Sequence, residues 1–378
     1  MANNNKHTGP NVPALRFPEF SGEWEKMSLQ DCCSDFSYGL NAPAKAYDGV
    51  NKYIRITDID ENTSVYKSDD PVSPDGLMSD EYLVNENDIL FARTGASTGK
   101  TYLYNQNDGR LFYAGFLIKA NVNNNCDPYF IFSQTKTQSY RRWVEIMSTR
   151  SGQPGINSQE YASYPLYVPS KEEQEKIALL LRGLDKRILV QSKIIEEHET
   201  LLRSLRHKLF NQCLDSHTQC RIGDILSIGS GKDYQHLREG EIPVYGTGGL
   251  ISHVNESLYD GESVCIGRKG TINKPLYLSG RFWTVDTLFY THSFNGILPR
   301  FCYHLFCTID WLTYNEASGV PSLSKSTIEK ILVSIPQIDI QKRIVQILDS
   351  IEEKINIDRN TLLDYQKQKI YLLSRMFI

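Results

Sequence analysis

The stretch SGQPGINSQEYASYPLYVPSKEEQEKIALLLRGLDKRI (151–188) returns as SGVPSLSKSTIEKILVSIPQIDIQKRIVQILDSIEEKI (318–355). At a constant offset of 167, Ser151, Gly152, Pro154, Pro169, Gln174, Ile177, Leu181 and Ile188 all meet identical residues. The register continues without a gap, so Leu205 and Phe210 meet Leu372 and Phe377. Upstream, NDILFARTG (87–95) aligns with ESVCIGRKG (262–270), pairing Arg93 with Arg268 and Gly95 with Gly270. A weaker third match sets Asp31-Cys32 against Asp224-Ile225. Self-similarity of this kind marks a repeat architecture and governs every later assignment. The chain is a duplication of one globular unit followed by one long helix.

The helices are written in heptads. Ile177, Leu181, Leu184, Ile188, Gln191, Ile195, His198, Leu202, Leu205 and Leu209 step by four and three without a break. So do Ile344, Leu348, Ile351, Ile355, Asp358, Leu362, Tyr365, Lys369, Leu372 and Met376. A sustained pattern of this kind is the seam of a coiled coil. About 40 residues make about 60 Å of helix, longer than a globule of about 130 residues can cover. The seam therefore calls for a partner, and the other copy is at hand; the alternative is a helix packed only on its own domain. Gln191 and Asp358 are equivalent polar positions on the seam, as are His198 and Tyr365, and polar seam residues fix register.

Outside the helices, short β-branched runs predict strands at KYIRITDI (52–59), SVCIG (263–267) and LVSIP (332–336). DPYFIFSQTKTQSYRRWVEIM (127–147) predicts one helix, with Asp127 as N-cap and Pro128 in its first position. LPRFCYHLFCTIDWL (298–312) has the same form. The fold class is α+β. The expected divisions are an N-terminal segment 1–23, mixed domains 24–170 and 221–337, helices 171–212 and 338–378, and a linker 213–220.

Composition narrows the function. The 378 residues carry 40% hydrophobic residues, enough for two cores. No run approaches the ~18 apolar residues of a membrane span, and MANNNKHTGP at the start has no apolar signal segment. The eight cysteines (32, 33, 126, 213, 220, 265, 302, 307) show neither a CxxC pair nor zinc-ligand spacing, as expected of free thiols in a reducing cytoplasm. A net charge of −4 speaks against a nucleic-acid partner, yet a basic groove can sit on an acidic body.

Motifs of catalysis fail one by one. GASTGKT (95–101) has three residues where a phosphate-binding loop needs four before its GK, and no helix pattern follows. GSGKD (229–233) lacks the hydroxyl after its lysine. CDPYF (126–130) lacks a proline of the amino-methyltransferase motif and the glycine-rich cofactor loop before it. There is no HExxH, and the carboxylates are scattered. The expectation is a protein without catalytic residues, metal or cofactor of its own.

Two mixed domains with paired helices form a caliper suited to a bipartite linear target. LRFPEFSGEWEKMSLQD near the start, the SGxP…IP…Q…I passage before each helix, and the LLSRMF ending closely resemble the specificity subunits of type I restriction-modification systems. The resemblance runs from Leu15 to Ile378 and implies two target-recognition domains, each reading half of a split, asymmetric sequence in double-stranded DNA. It implies an antiparallel coiled-coil spacer with pseudo-two-fold symmetry. Two methylation subunits would dock on it and restriction subunits would join them, with S-adenosylmethionine and ATP used by those partners in the cytoplasm. The rival reading is a scaffold presenting two modules to ligands other than DNA.

DNA-contacting candidates follow from the loops. Arg93 and Arg268 follow a strand and open a glycine turn in both copies, where a guanidinium can reach phosphate or a guanine edge. Bracing that turn against a carboxylate is the equal alternative. Lys100, Lys269 and Lys274 lie in the same turns, and Arg141, Arg142 and Arg150 cluster around the end of the 127–147 helix. Ser230, Lys232 and Tyr234 mark a polar glycine-rich loop whose counterpart holds Tyr38 and Asn41.

Overall fold

The computed structural model describes residues 11–61, 63–149, 155–212 and 218–378, of which the side chains at 212 and 218 are excepted. The chain divides into two compact units, one made of residues up to 192 together with 361–378, the other of 193–360. Among the described residues no helix is long and apolar enough to cross a membrane.

The first unit is organised by strands β1 (Glu25–Ser28), β2 (Cys33–Tyr38), β3 (Asp88–Ala92), β4 (Thr101–Leu103), β5 (Leu117–Val122) and β6 (Pro165–Val168). β2, β5, β3 and β4 form, in that order, an antiparallel sheet. All five residues of β3 are buried, the apolar run Ile89–Ala92 as suits a central strand and Asp88 held by the Asn85 N–H (2.7 Å) and the Asn121 amide (2.7 Å). β1 pairs with β6 outside this sheet. Two helices, α1 (Pro128–Gln134) and α2 (Gln138–Ser148), pack on it, and the long α3 (Lys171–Gln212) follows. The single helix expected over 127–147 is thus two. Asp127 does cap the first by accepting the Phe130 N–H (2.8 Å), but Thr137 caps the second by accepting from Tyr140 (3.2 Å). Tight i to i+3 bonds at Thr135 and Lys136 close the turn between them. Likewise the strand expected over 52–59 stops at Ile54, because Asp58 takes up the Arg55 N–H (2.9 Å) and winds the chain into a 3-10 turn.

The second unit repeats the plan with β7 (Thr218–Arg221), β8 (Ser227–Ser230), β9 (Ser263–Gly267), β10 (Leu276–Leu278), β11 (Leu288–His292) and β12 (Leu332–Ile335). Its antiparallel sheet runs β8, β11, β9, β10, the order of the first unit, and β7 pairs with β12 as β1 does with β6. Helices α4 (Pro299–Phe306) and α5 (Lys325–Lys330) pack beside it, and α6 (Ile338–Met376) follows. The weakest of the three sequence matches is structurally sound. Asp31 accepts the Ser28 N–H at 2.8 Å and Asp224 accepts the Arg221 N–H at 3.0 Å, closing the same helical turn in each unit. The copies diverge in their small accessory sheets: two separate pairs in the first unit, and a four-stranded sheet built on Ile242–Gly246 in the second.

Both long helices contribute to each unit. In the second, His198 of α3 meets Asp358 of α6 at 3.0 Å and Arg206 pairs with Glu352, so the helices run antiparallel. In the first, Lys369 pairs with Asp185 at 2.5 Å, while Ile177, Leu181, Leu373, Met376 and Phe377 share one core with Trp24 and Phe130. Every residue of the two heptad seams is buried or half-buried. The N-terminal segment is tied to this core: Leu15 donates its N–H to the Arg375 carbonyl (2.8 Å), and Arg16 holds buried Glu173 through two bonds of 2.8 and 2.7 Å.

Gln174 and Gln341, identical in the repeat, perform one task twice. Each is fully buried. Gln174 donates to the Pro169 carbonyl (2.9 Å) and accepts the Asp127 N–H (3.0 Å); Gln341 donates to the Pro336 carbonyl (2.8 Å) and accepts the Leu298 N–H (2.8 Å). The start of each long helix is thereby sewn to the first turn of the proline-led helix of its own unit.

Candidate nucleic-acid interface

The two best-matched stretches of the repeat, far apart in sequence, meet in space. After buried β3, Arg93 donates its N–H to the Phe116 carbonyl (3.1 Å) and accepts the Ile156 N–H (2.9 Å), and Thr94 bridges Gly155. After buried β9, Arg268 donates to the Thr287 carbonyl (2.8 Å) and accepts the Leu323 N–H (2.9 Å), and Lys269 bridges Ser322. Gly95 and Gly270 follow with φ of 71° and 94°, a region that favours glycine, which accounts for their identity. Residues 151–154, which open the repeat in the first copy, lie outside the described residues.

In the first unit the Arg93 guanidinium lies 4.8 Å from the centre of the Tyr38 ring, and the Tyr38 hydroxyl accepts the Ser158 N–H at 3.2 Å. Burial raises the pKa of this phenol, but the bonds from Ser158 and the Arg93 charge together hold it below its ordinary value. Arg93 therefore stacks on a ring, and no carboxylate pairs with it among the described residues. Such a stack on an exposed tyrosine is worth only about 0.5–1 kcal/mol, little enough for the guanidinium to turn to a phosphate. Lys100 is held by Glu61 at 2.6 Å, and GASTGKT passes directly into strand β4. Arg141 and Arg142 are exposed, but they lie early in α2 instead of at the end of one long helix. Asn41 is exposed past β2, and Arg150 falls outside the described residues.

In the second unit Ser230, Arg268 and Lys269 line one groove of about 560 Å³, together with Phe289, Glu316 and Lys325. The Arg268 guanidinium sits 5.9 Å from the Phe289 ring centre. Lys232 and Lys274 are exposed on neighbouring loops, and the Lys232 backbone is pinned by the Thr284 carbonyl and the Trp283 indole (both 2.8 Å). Tyr234 is half-buried, packed against the cluster that holds Val244 and Trp283.

Glu316 and Lys325 escaped sequence reasoning. Glu316 belongs to no repeated motif, and Lys325 faces Ser158 at the same offset of 167, so neither stood out as shared. Hydrogen bonds from Thr327 and Ser324 hold the Glu316 carboxyl below the usual carboxylate range.

His304, Asp349 and Glu352 place ligand atoms within 4.8 Å of one another. Arg206 and Arg300 already pair with both carboxylates, so the cluster is an ion-pair network that resists a cation.

Comparison with known proteins agrees with this geometry. The family model for the type I restriction modification DNA specificity domain matches residues 21–200 and again 217–364. A type I restriction enzyme specificity subunit of Escherichia coli is 22% identical over 335 residues, 80% of each chain. A putative one of Methanocaldococcus jannaschii is 22% identical over 95% of this chain and 94% of its own. A match to a putative Haemophilus influenzae specificity subunit, at 26% identity, spans only 30% of each. Among solved structures, the S subunit of a type I system from M. genitalium superposes with a TM-score of 0.68 at 19% identity, over 97% of this chain and 99% of that one. Two tandem matches, covering both units, establish that the chain belongs to the family of type I restriction-modification specificity subunits.

Proposed function

We propose that this chain is the non-catalytic DNA-recognition and assembly subunit of a type I restriction-modification complex, acting in the cytoplasm. Each unit reads one half of a split, asymmetric target in double-stranded DNA. The observation that carries this reading is the junction made twice, in which an arginine turn after a buried strand is stitched to the residues that follow the SGxP motif in sequence, Gly155 and Ile156 in one unit and Ser322 and Leu323 in the other. Side chains differ at its matching positions: Tyr38 stands for Ser230, Thr94 for Lys269 and Ser158 for Lys325. A common frame with different reading groups suits two unlike half-sites.

Arg93, Arg141, Arg142 and Arg150 with Tyr38, Asn41 and Lys100 serve the first half-site in this proposal. Arg268, Lys269, Lys274, Ser230, Lys232 and Tyr234 serve the second. Methylation subunits dock on the long helices. Exposed Leu180 and Val190 of α3 recur as exposed Ile347 and Ile357 of α6, two equivalent apolar spots that suit two copies of one partner. Methyl transfer from S-adenosylmethionine, and ATP-driven cleavage by restriction subunits, then belong to those partners.

The test assembles the chain with its methylation subunits. Methylated adenines mapped genome-wide should define one split sequence that vanishes when the chain is left out. Binding to that sequence should fall steeply as salt rises. Sequence-independent binding by the assembled complex would overturn the reading.

A further inference from the structure

A carboxylate is out of place in a groove meant for phosphate, and Glu316 stands in one. Arg268, Lys269 and Lys325 line the groove around it. Its position is fixed from several sides. The Ser324 hydroxyl donates to Oε1 at 2.8 Å, the Ser324 N–H at 3.3 Å, and the Thr327 hydroxyl also donates to Oε1. Its own N–H is held by the Ser322 carbonyl at 3.0 Å, on the loop that bridges Lys269. All three bonds to the carboxyl fall on Oε1, so Oε2 remains to accept from a ligand. Ser324 is itself the N-cap of α5, which keeps the brace rigid.

Resting on the function proposed above, we infer that Glu316 is a specificity-determining residue for the second half-site, its Oε2 accepting a hydrogen from an exocyclic amino group. On the major-groove edges of DNA that donor is cytosine N4 or adenine N6, and a carboxylate excludes guanine O6 and thymine O4, which are acceptors. Cations on the groove wall offset the repulsion between this carboxylate and the phosphates, which otherwise forbids close approach. The first unit has Thr149 at the matching position, so the discrimination belongs to one half-site alone.

Glu316→Gln keeps an acceptor for Ser324 and Thr327 but weakens the demand for an amino donor. Methylated sites are mapped for the assembled complex with wild-type or variant chain, and methylation rates are measured on oligonucleotides altered at each base. The expected result is relaxation at one position of the second half-site, with discrimination there falling on the order of 10- to 100-fold and the first half-site unchanged. An unchanged sequence and rate overturns the inference. So does a uniform loss across all substrates, the mark of a brace that only supports the loop. Should Glu316→Gln melt early, Glu316→Asp decides: it keeps the charge, withdraws it from the base, and must weaken that same position. A wild-type complex that methylates no split sequence defeats the underlying function; a split sequence indifferent to both variants defeats only the role of Glu316.

Discussion

His304 shows how much one buried side chain must settle. The Arg206 Nε–H donates to its Nδ1 at 3.2 Å, so Nε2 carries the hydrogen and donates to Asp349 at 2.8 Å. The ring is neutral in this arrangement, and burial holds its pKa below the ordinary 6.5 in spite of Asp349 and Glu352. Unfolding then takes up protons below that value, so stability is full above pH 6.5 and declines as pH falls toward the lower folded pKa. Denaturant titrations between about pH 7.5 and 5 should show this slope in the wild type and a shallower one in His304→Gln. Equal slopes would show that His304 does not titrate on unfolding. None of this is legible in the sequence, because Arg206, His304 and Asp349 lie on three different helices and only folding joins them. The Arg93 and Arg268 pair was legible because both copies print it. Glu316 was not, because one copy alone carries it and its meaning depends on Ser324 and Thr327 across a loop.

At the scale of elements, heptad spacing foretold the helices well, since a seam of period 3.5 is local information. The helix at 127–147 misled because no glycine or proline marks a break in the polar stretch SQTKTQS (133–139) between its two apolar runs. The break depends on Lys136 reaching Ser64 at 2.8 Å and on Thr137 acting as a cap. The stitch made by Gln174 and Gln341 gives an element-scale prediction. Truncation to alanine leaves a buried N–H and a buried carbonyl without partners, each costing about 1–3 kcal/mol. Gln341→Ala should destabilise the second unit and Gln174→Ala the first, read as local losses of amide-exchange protection beside Leu298 and Asp127. Protection lost equally in both units by either variant would mean that the stitches are not local.

For the whole molecule, the duplication was the most secure reading of the sequence, and it proved to include hydrogen bonds that no alignment states. The function proposed here makes the long helices the ruler between half-sites. Seven residues inserted into α3 after Ser192, with seven more into α6 after Asn360, keep every seam position in phase. Methylation mapping should then find both half-sequences intact and the tolerated gap changed; altered bases within a half-site would show that the helices do not set the gap. One consequence lies in the hydrogen bond from Leu15 to Arg375 and in the core shared by Trp24 and Phe377. The first unit is built from two stretches of chain that flank the second. A nonsense mutation just after codon 360 therefore spares the half of the protein translated nearest to it and cripples the half translated first.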